Sequence, residues 1–257
     1  PAAIGFDCLV GHSLRCRHIA IWFQAMSATF ELPRTGKREL QKEARRIAII
    51  DAAFDAFMQQ GFTATKLDDV AERAGIGKGT IYLYFDSKEN LFEEMVRQTL
   101  FPLRDAAEAY VANFTGSASD LLASQLRNFY ASMNNPSIPP LMAMISSEAL
   151  RFPTIAAFFY EEIISKSYQM LRRIIDTGIE TGEFRADADK LYLQLVTAPV
   201  LISVNWNLQF REQAPIVIED YSRMHIEFVL RALRPMTPDD AATNSVRGRY
   251  SSGVVDG

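Results

Sequence analysis

The run Gly77-Lys78-Gly79-Thr80 gathers groups that hold phosphates and base edges. At a helix start it offers free backbone N–H groups, one cation and one hydroxyl. The missing side chains at Gly77 and Gly79 let the backbone approach DNA closely. Tyr82 and Tyr84 add phenolic hydroxyls, and Lys88 stands at the next helix start. Taken singly, the tyrosines read as packing residues and the four-residue run as a plain turn; their joint order is what carries the DNA reading. A nucleotide phosphate loop does not fit, because Gly77-Lys78 is followed by Gly79 rather than Ser or Thr, and no strand precedes it. The chain shows no serine nucleophile elbow, no paired-histidine metal motif and no dinucleotide glycine loop, which argues against an enzyme. His225 lies among Tyr221, Met224 and Phe228 and reads as a packed histidine. Cys8, His12, Cys16 and His18 are soft-metal ligand types, but their spacing matches no zinc pattern, so neither metal nor cofactor is expected.

Local sequence supplies a frame to hold that run at a helix start. Thr65 opens a capping box with Asp68 and begins a short helix ending near Ala74-Gly75. A second short helix covers residues 78–84. Ala71 is small enough for the two to cross closely, and Gly75 takes the positive φ of the tight turn. Val70, Ala74, Ile76 and Ile81 form the apolar seam that locks the pair onto a first helix over residues 39–60. By propensity alone, residues 80–85 would read as a strand.

Beyond this frame the periodicity is helical throughout. Ser87 caps a long helix with Pro102 as a kink. Further helices are expected over residues 119–133, 140–150, 153–182, 187–210 and 215–233. That makes about nine helices and an all-α fold. The last two carry more apolar positions than one buried face needs: Leu191, Leu195, Val196, Leu201 and Ile202, then Val217, Tyr221, Met224, Phe228 and Val229. This surplus fits either self-pairing or cover for the rest of the same domain. Phe129, Met133, Met142, Phe159 and Trp206 are candidates for lining an effector pocket, although such stripes also build cores.

Composition sets the outer limits. At 257 residues and 48% hydrophobic, the chain can bury a full core, and no run reaches the length of a membrane span. Two cysteines exclude a disulfide-stapled scaffold and fit a reducing, cytoplasmic setting. The net charge of −4 argues against a protein coated in positive charge. Residues 34–50, however, hold six basic side chains, Arg45 among them, against two acidic ones. Such a segment suits either a local anionic contact or a solvated helix start. Arg15, Arg17 and His18 before a short apolar run imitate a signal peptide, but Gln24 breaks the run. Residues 1–33 are expected to be a disordered or non-native extension, with Met26 an alternative start, and residues 235–257 a disordered tail.

The run Thr65-Lys66-Leu67-Asp68-Asp69-Val70-Ala71-Glu72-Arg73-Ala74-Gly75-Ile76-Gly77-Lys78-Gly79-Thr80-Ile81-Tyr82-Leu83-Tyr84-Phe85, followed by Ser87-Lys88-Glu89-Asn90-Leu91-Phe92, resembles the DNA-binding domain of the TetR family of transcriptional regulators. The resemblance spans residues 42–102. It implies a helix-turn-helix domain over 34–102 and a helical ligand-binding and dimerisation domain over 103–234. The implied protein is a homodimeric repressor, pairing through residues 187–233 and released from near-palindromic double-stranded operator DNA by a small apolar effector. Lys78, Gly79 and Thr80 fall where the family's recognition helix starts. Tyr82 and Tyr84 fall at phosphate-contacting aromatic positions, Thr65 at the start of the preceding helix, and Lys88 at the start of the fourth. Leu83 stands where many members carry another aromatic. Neither a catalytic function nor a membrane partner is implied.

Overall fold

The computed structural model describes residues 36–235. The expectations for residues 1–33, with Cys8, His12, Cys16 and His18, and for the tail after Pro235 lie outside them. Among the described residues there are nine helices and no strand. They are α1 (Lys37–Ala64), α2 (Leu67–Arg73), α3 (Lys78–Ile81), α4 (Lys88–Asn113), α5 (Ala118–Ser132) and α6 (Ile138–Ala149). Next comes α7, which runs through Pro153–Phe159, a π-helical turn at Tyr160–Ile164, and Ser165–Glu180. The last are α8 (Gln194–Phe210) and α9 (Ile218–Leu233). No described helix is long and apolar enough to cross a membrane.

The chain divides between Arg45 and Arg46, and both cores lie in the unit that begins at Arg46. The first core gathers Ile50, Phe54 and Phe57 of α1, Val70 of α2, Ile81 of α3 and Phe92 of α4. It continues without a break into Leu141 and Ile145 of α6 and Phe158 of α7. The second joins Leu122 and Leu126 of α5, Ile174 of α7, Val196 of α8 and Val229 of α9. Beside it, α5 and α9 share one buried polar contact, between the Tyr130 hydroxyl and His225 Nδ1 at 3.0 Å. Burial lowers the His225 pKa and raises that of Tyr130, so both are held neutral near pH 7.

Several element boundaries differ from the sequence expectation. Gly61 interrupts α1 as the expected end near residue 60 requires: it adopts φ +77° and ψ 163°, outside the helical region, and the stretch from there to Ala64 follows across a kink. α2 is capped at Lys66, not Thr65: the Lys66 N–H donates to the Asp69 carboxylate at 3.2 Å. Thr65 is buried, and its hydroxyl donates back to the Gly61 carbonyl at 2.8 Å. The single helix expected over 187–210 is instead a 3₁₀ turn, Ala188–Lys190, then an extended residue at Leu191, then α8. Ala188 and Leu193 are both buried in the second core, and pinning both breaks the helical spacing between them. Residues 80–85 form the end of α3 and a following turn: a strand would set Ile81, Leu83 and Phe85 on one face, whereas Ile81 and Phe85 are buried in the first core and Leu83 is exposed.

Gly75 has φ +67° with open space where a Cβ would stand, so a side chain there meets backbone strain and no clash. Gly75→Val is therefore expected to cost about 1–3 kcal/mol of stability. A thermal midpoint equal to that of the parent would show that the turn tolerates a β-branched residue.

Candidate nucleic-acid interface

The turn between α2 and α3 closes through backbone bonds. The Ala74 N–H donates to Val70 O at 2.8 Å and the Ile76 N–H to Ala71 O at 3.0 Å. Ala71 is fully buried, as a close crossing requires. Gly77 then caps α3 in an extended conformation. Ile81, pointing inward, fixes the rotation of this short helix, and its other side faces solvent. Lys78, Gly79 and Tyr82 are exposed there, Thr80 is half-buried, and no atom lies within 4 Å of a Cβ built on Gly79. Lys78, Gly79, Thr80 and Tyr82 thus share one open surface. Leu83 shares it too, with 78% of its surface free although it is apolar.

Other candidate contacts are placed differently. The Lys88 ammonium donates to the carbonyls of Phe62 at 2.8 Å and Thr63 at 3.2 Å, and stands 4.5 Å from the centre of the Phe62 ring. It neutralises the carbonyl end of α1. Tyr84 is half-buried against the first core, and Thr65 is committed to Gly61. Arg45 is exposed on the basic start of α1.

Asp68, which the sequence pattern places in a capping box, has a different partner. Its carboxylate accepts from the Lys78 ammonium at 2.9 Å, bridging α2 to α3. That hydrogen bond, and the charge behind it, raise the Lys78 pKa, with Glu72 and Asp69 adding to the effect. The Lys78 ammonium is thus charged at neutral pH and paired with Asp68.

On the effector side, Met133, Met142 and Phe159 pack partly buried against the first core, and Phe129 is half-buried on α5. The Trp206 indole N–H donates to Ala214 O at 2.6 Å, and its ring lies 4.9 Å from that of Phe210. None of the five lines either of the two clefts described here. One, of about 460 Å³, runs along α7 between Tyr160, Tyr168 and Arg172. The other, of about 430 Å³, opens between α1 and α6.

α8 and α9 each have two apolar faces. Val196, Val200, Ile226 and Val229 are buried within the chain. Leu195 and Ile202 on α8, with Val217, Met224 and Phe228 at the start of and along α9, are more than half exposed.

The family model for bacterial regulatory proteins of the tetR family matches residues 49–95, and the model for the tetracyclin repressor-like C-terminal domain matches residues 113–209. The HTH-type transcriptional repressor KstR2 of Rhodococcus jostii RHA1 is 26% identical over 194 residues, covering 75% of this chain and 92% of that protein. RutR of Escherichia coli K12, an HTH-type transcriptional regulator, is 46% identical over 66 residues, 26% of this chain and 31% of that protein. The structure of the ketosteroid transcriptional regulator KstR2 of Mycobacterium tuberculosis superposes with a TM-score of 0.54 at 25% identity, covering 75% of this chain and 96% of that one. With both halves matched, and the helix-turn-helix placed as above, the chain belongs to the TetR family of DNA-binding transcriptional regulators.

Proposed function

We propose that this chain is a cytoplasmic, ligand-released repressor that holds near-palindromic operator DNA as a homodimer. The observation that carries the reading is the open surface of α3, where a lysine and a side-chain-free glycine at the helix start are exposed together with the tyrosine that caps its C-terminus. Repression is supported by relatives that are named transcriptional repressors. One recognition helix covers only part of a major-groove site, and two-fold pairing sets two copies ~34–36 Å apart. The exposed apolar stripes of α8 and α9, within residues 187–233, supply a surface for that pairing. A small effector then needs only to favour one spacing of the two heads over the other.

The test begins with an operator selected from random duplexes. Lys78→Ala is expected to weaken binding roughly tenfold and to flatten its salt dependence, because each lost phosphate contact lowers the salt slope by about one. Asp68→Asn, which frees the same ammonium, should tighten binding several-fold, most clearly on unselected DNA. Anisotropy titrations at two salt concentrations read both changes. If no duplex is selected, or if both variants bind as the parent does with unchanged melting curves, the reading fails.

A further inference from the structure

The cleft between α1 and α6 has an unusual floor. Its walls are apolar: Phe57 and Met58 of α1, Ala143 and Met144 of α6, and Leu208 of α8. Glu148 lines it, with only 7% of the residue's surface exposed. A carboxylate on a residue so largely buried, facing water only through the cleft, favours a cation or several hydrogen-bond donors beside it. Among the described residues its side chain receives one long contact, from the Thr63 hydroxyl at 3.4 Å, and joins no ion pair. Lys88, the ammonium that reaches this end of α1, is turned onto the Phe62 and Thr63 carbonyls instead. Across the cleft stands Gly61, without a side chain; a Cβ built there would meet Glu148 Oε1 in ordinary contact at 3.9 Å.

We propose that this cleft binds a small organic cation, an ammonium or amidinium group on a compact apolar body. Its charge rests on Glu148, and its body lies between Phe57, Met58, Met144 and Leu208. The volume, about 430 Å³, is in the range of small-molecule sites. The chemistry follows from the lining: one buried carboxylate selects a single positive charge, and the apolar walls select against a hydrated ion such as sodium. An occupant touches α1, which carries the DNA-binding core, together with α6 and α8. Its role as effector rests on the regulator reading above, whereas the cation site stands without it.

The full chain, labelled with ¹³C at its methionine methyls, is titrated with phenethylammonium and, in parallel, with the neutral phenethyl alcohol. The Met58 and Met144 signals are expected to shift saturably with the ammonium and to require at least tenfold more of the alcohol. Glu148→Gln should weaken ammonium binding tenfold or more with little effect on the alcohol. Should that variant fail to fold, Ala143→Phe, which leaves Glu148 in place and fills the cleft, should abolish both titrations. Equal shifts with the two probes, shifts confined to other methionines, or an unweakened folded Glu148→Gln variant would each overturn the site. Operator binding without any probe reads the regulator proposal separately: a protein that binds the ammonium and selects no duplex keeps the site and loses that reading. If DNA is bound, saturating ammonium should change operator affinity at least fivefold; unchanged affinity would remove the effector role.

Discussion

Phe228→Glu is expected to yield a folded monomer whose operator affinity falls a hundredfold or more. The side chain is 72% exposed, so the substitution removes almost nothing from the interior of one chain. In a two-fold dimer the same residue is lost twice. Burying a phenylalanine stabilises by about 1.5–3 kcal/mol, so ~3–6 kcal/mol of association is forfeited. The two carboxylates add a desolvation cost. Val217, Tyr221, Met224 and Phe228 recur at spacings of four, three and four, a seam suited to helix pairing. Each monomer would retain one recognition helix and one half-site. Sedimentation velocity beside the DNA titration checks both claims. A variant that still sediments as a dimer would place the interface elsewhere.

This seam also shows how far sequence reaches. The apolar surplus of the last two helices is legible from periodicity, because one helix face cannot absorb so many large residues. Which residues turn outward is not legible. Val196 and Val229 enter the second core, while Leu195 and Phe228 stay free. The helix-turn-helix was readable in detail, down to positive φ at Gly75, because turn chemistry is local. Thr65 stands one residue before the cap because its hydroxyl back-bonds to the Gly61 carbonyl four residues earlier and reaches that of Ala56, a local competitor that the capping-box pattern alone does not weigh. The break before α8 has neither glycine nor proline to announce it; it follows from two residues pinned in one core. The Lys78–Asp68 bridge depends on how two helices cross, and the buried Glu148 looks in sequence like any solvated acid on a helix.

A ligand site is useful to a DNA-binding head only if the two share a core. Phe62 follows the bend at Gly61 and is fully buried. Its ring centre lies 5.6 Å from Phe57, 5.2 Å from Phe92 and 5.0 Å from Phe152, the latter two edge-on. Phe152 stands between α6 and α7, so this one ring touches α1, α4 and the far half of the chain. Phe62→Ala is expected to cost ~3–5 kcal/mol, the usual range for an emptied aromatic site. That is a large share of the roughly 5–15 kcal/mol that holds a domain folded. At about 2–4 °C per kcal/mol for a chain of this size, the midpoint should fall by roughly 6–20 °C. Calorimetry should show one transition in parent and variant alike, because the residues around Phe62 unfold as a unit. A parent that melts in two well-separated steps, or a variant within about 1 kcal/mol of it, would show that the head and the α6–α7 region are not bound through this ring. A ligand between α1 and α6 would then have no rigid path by which to reposition α3.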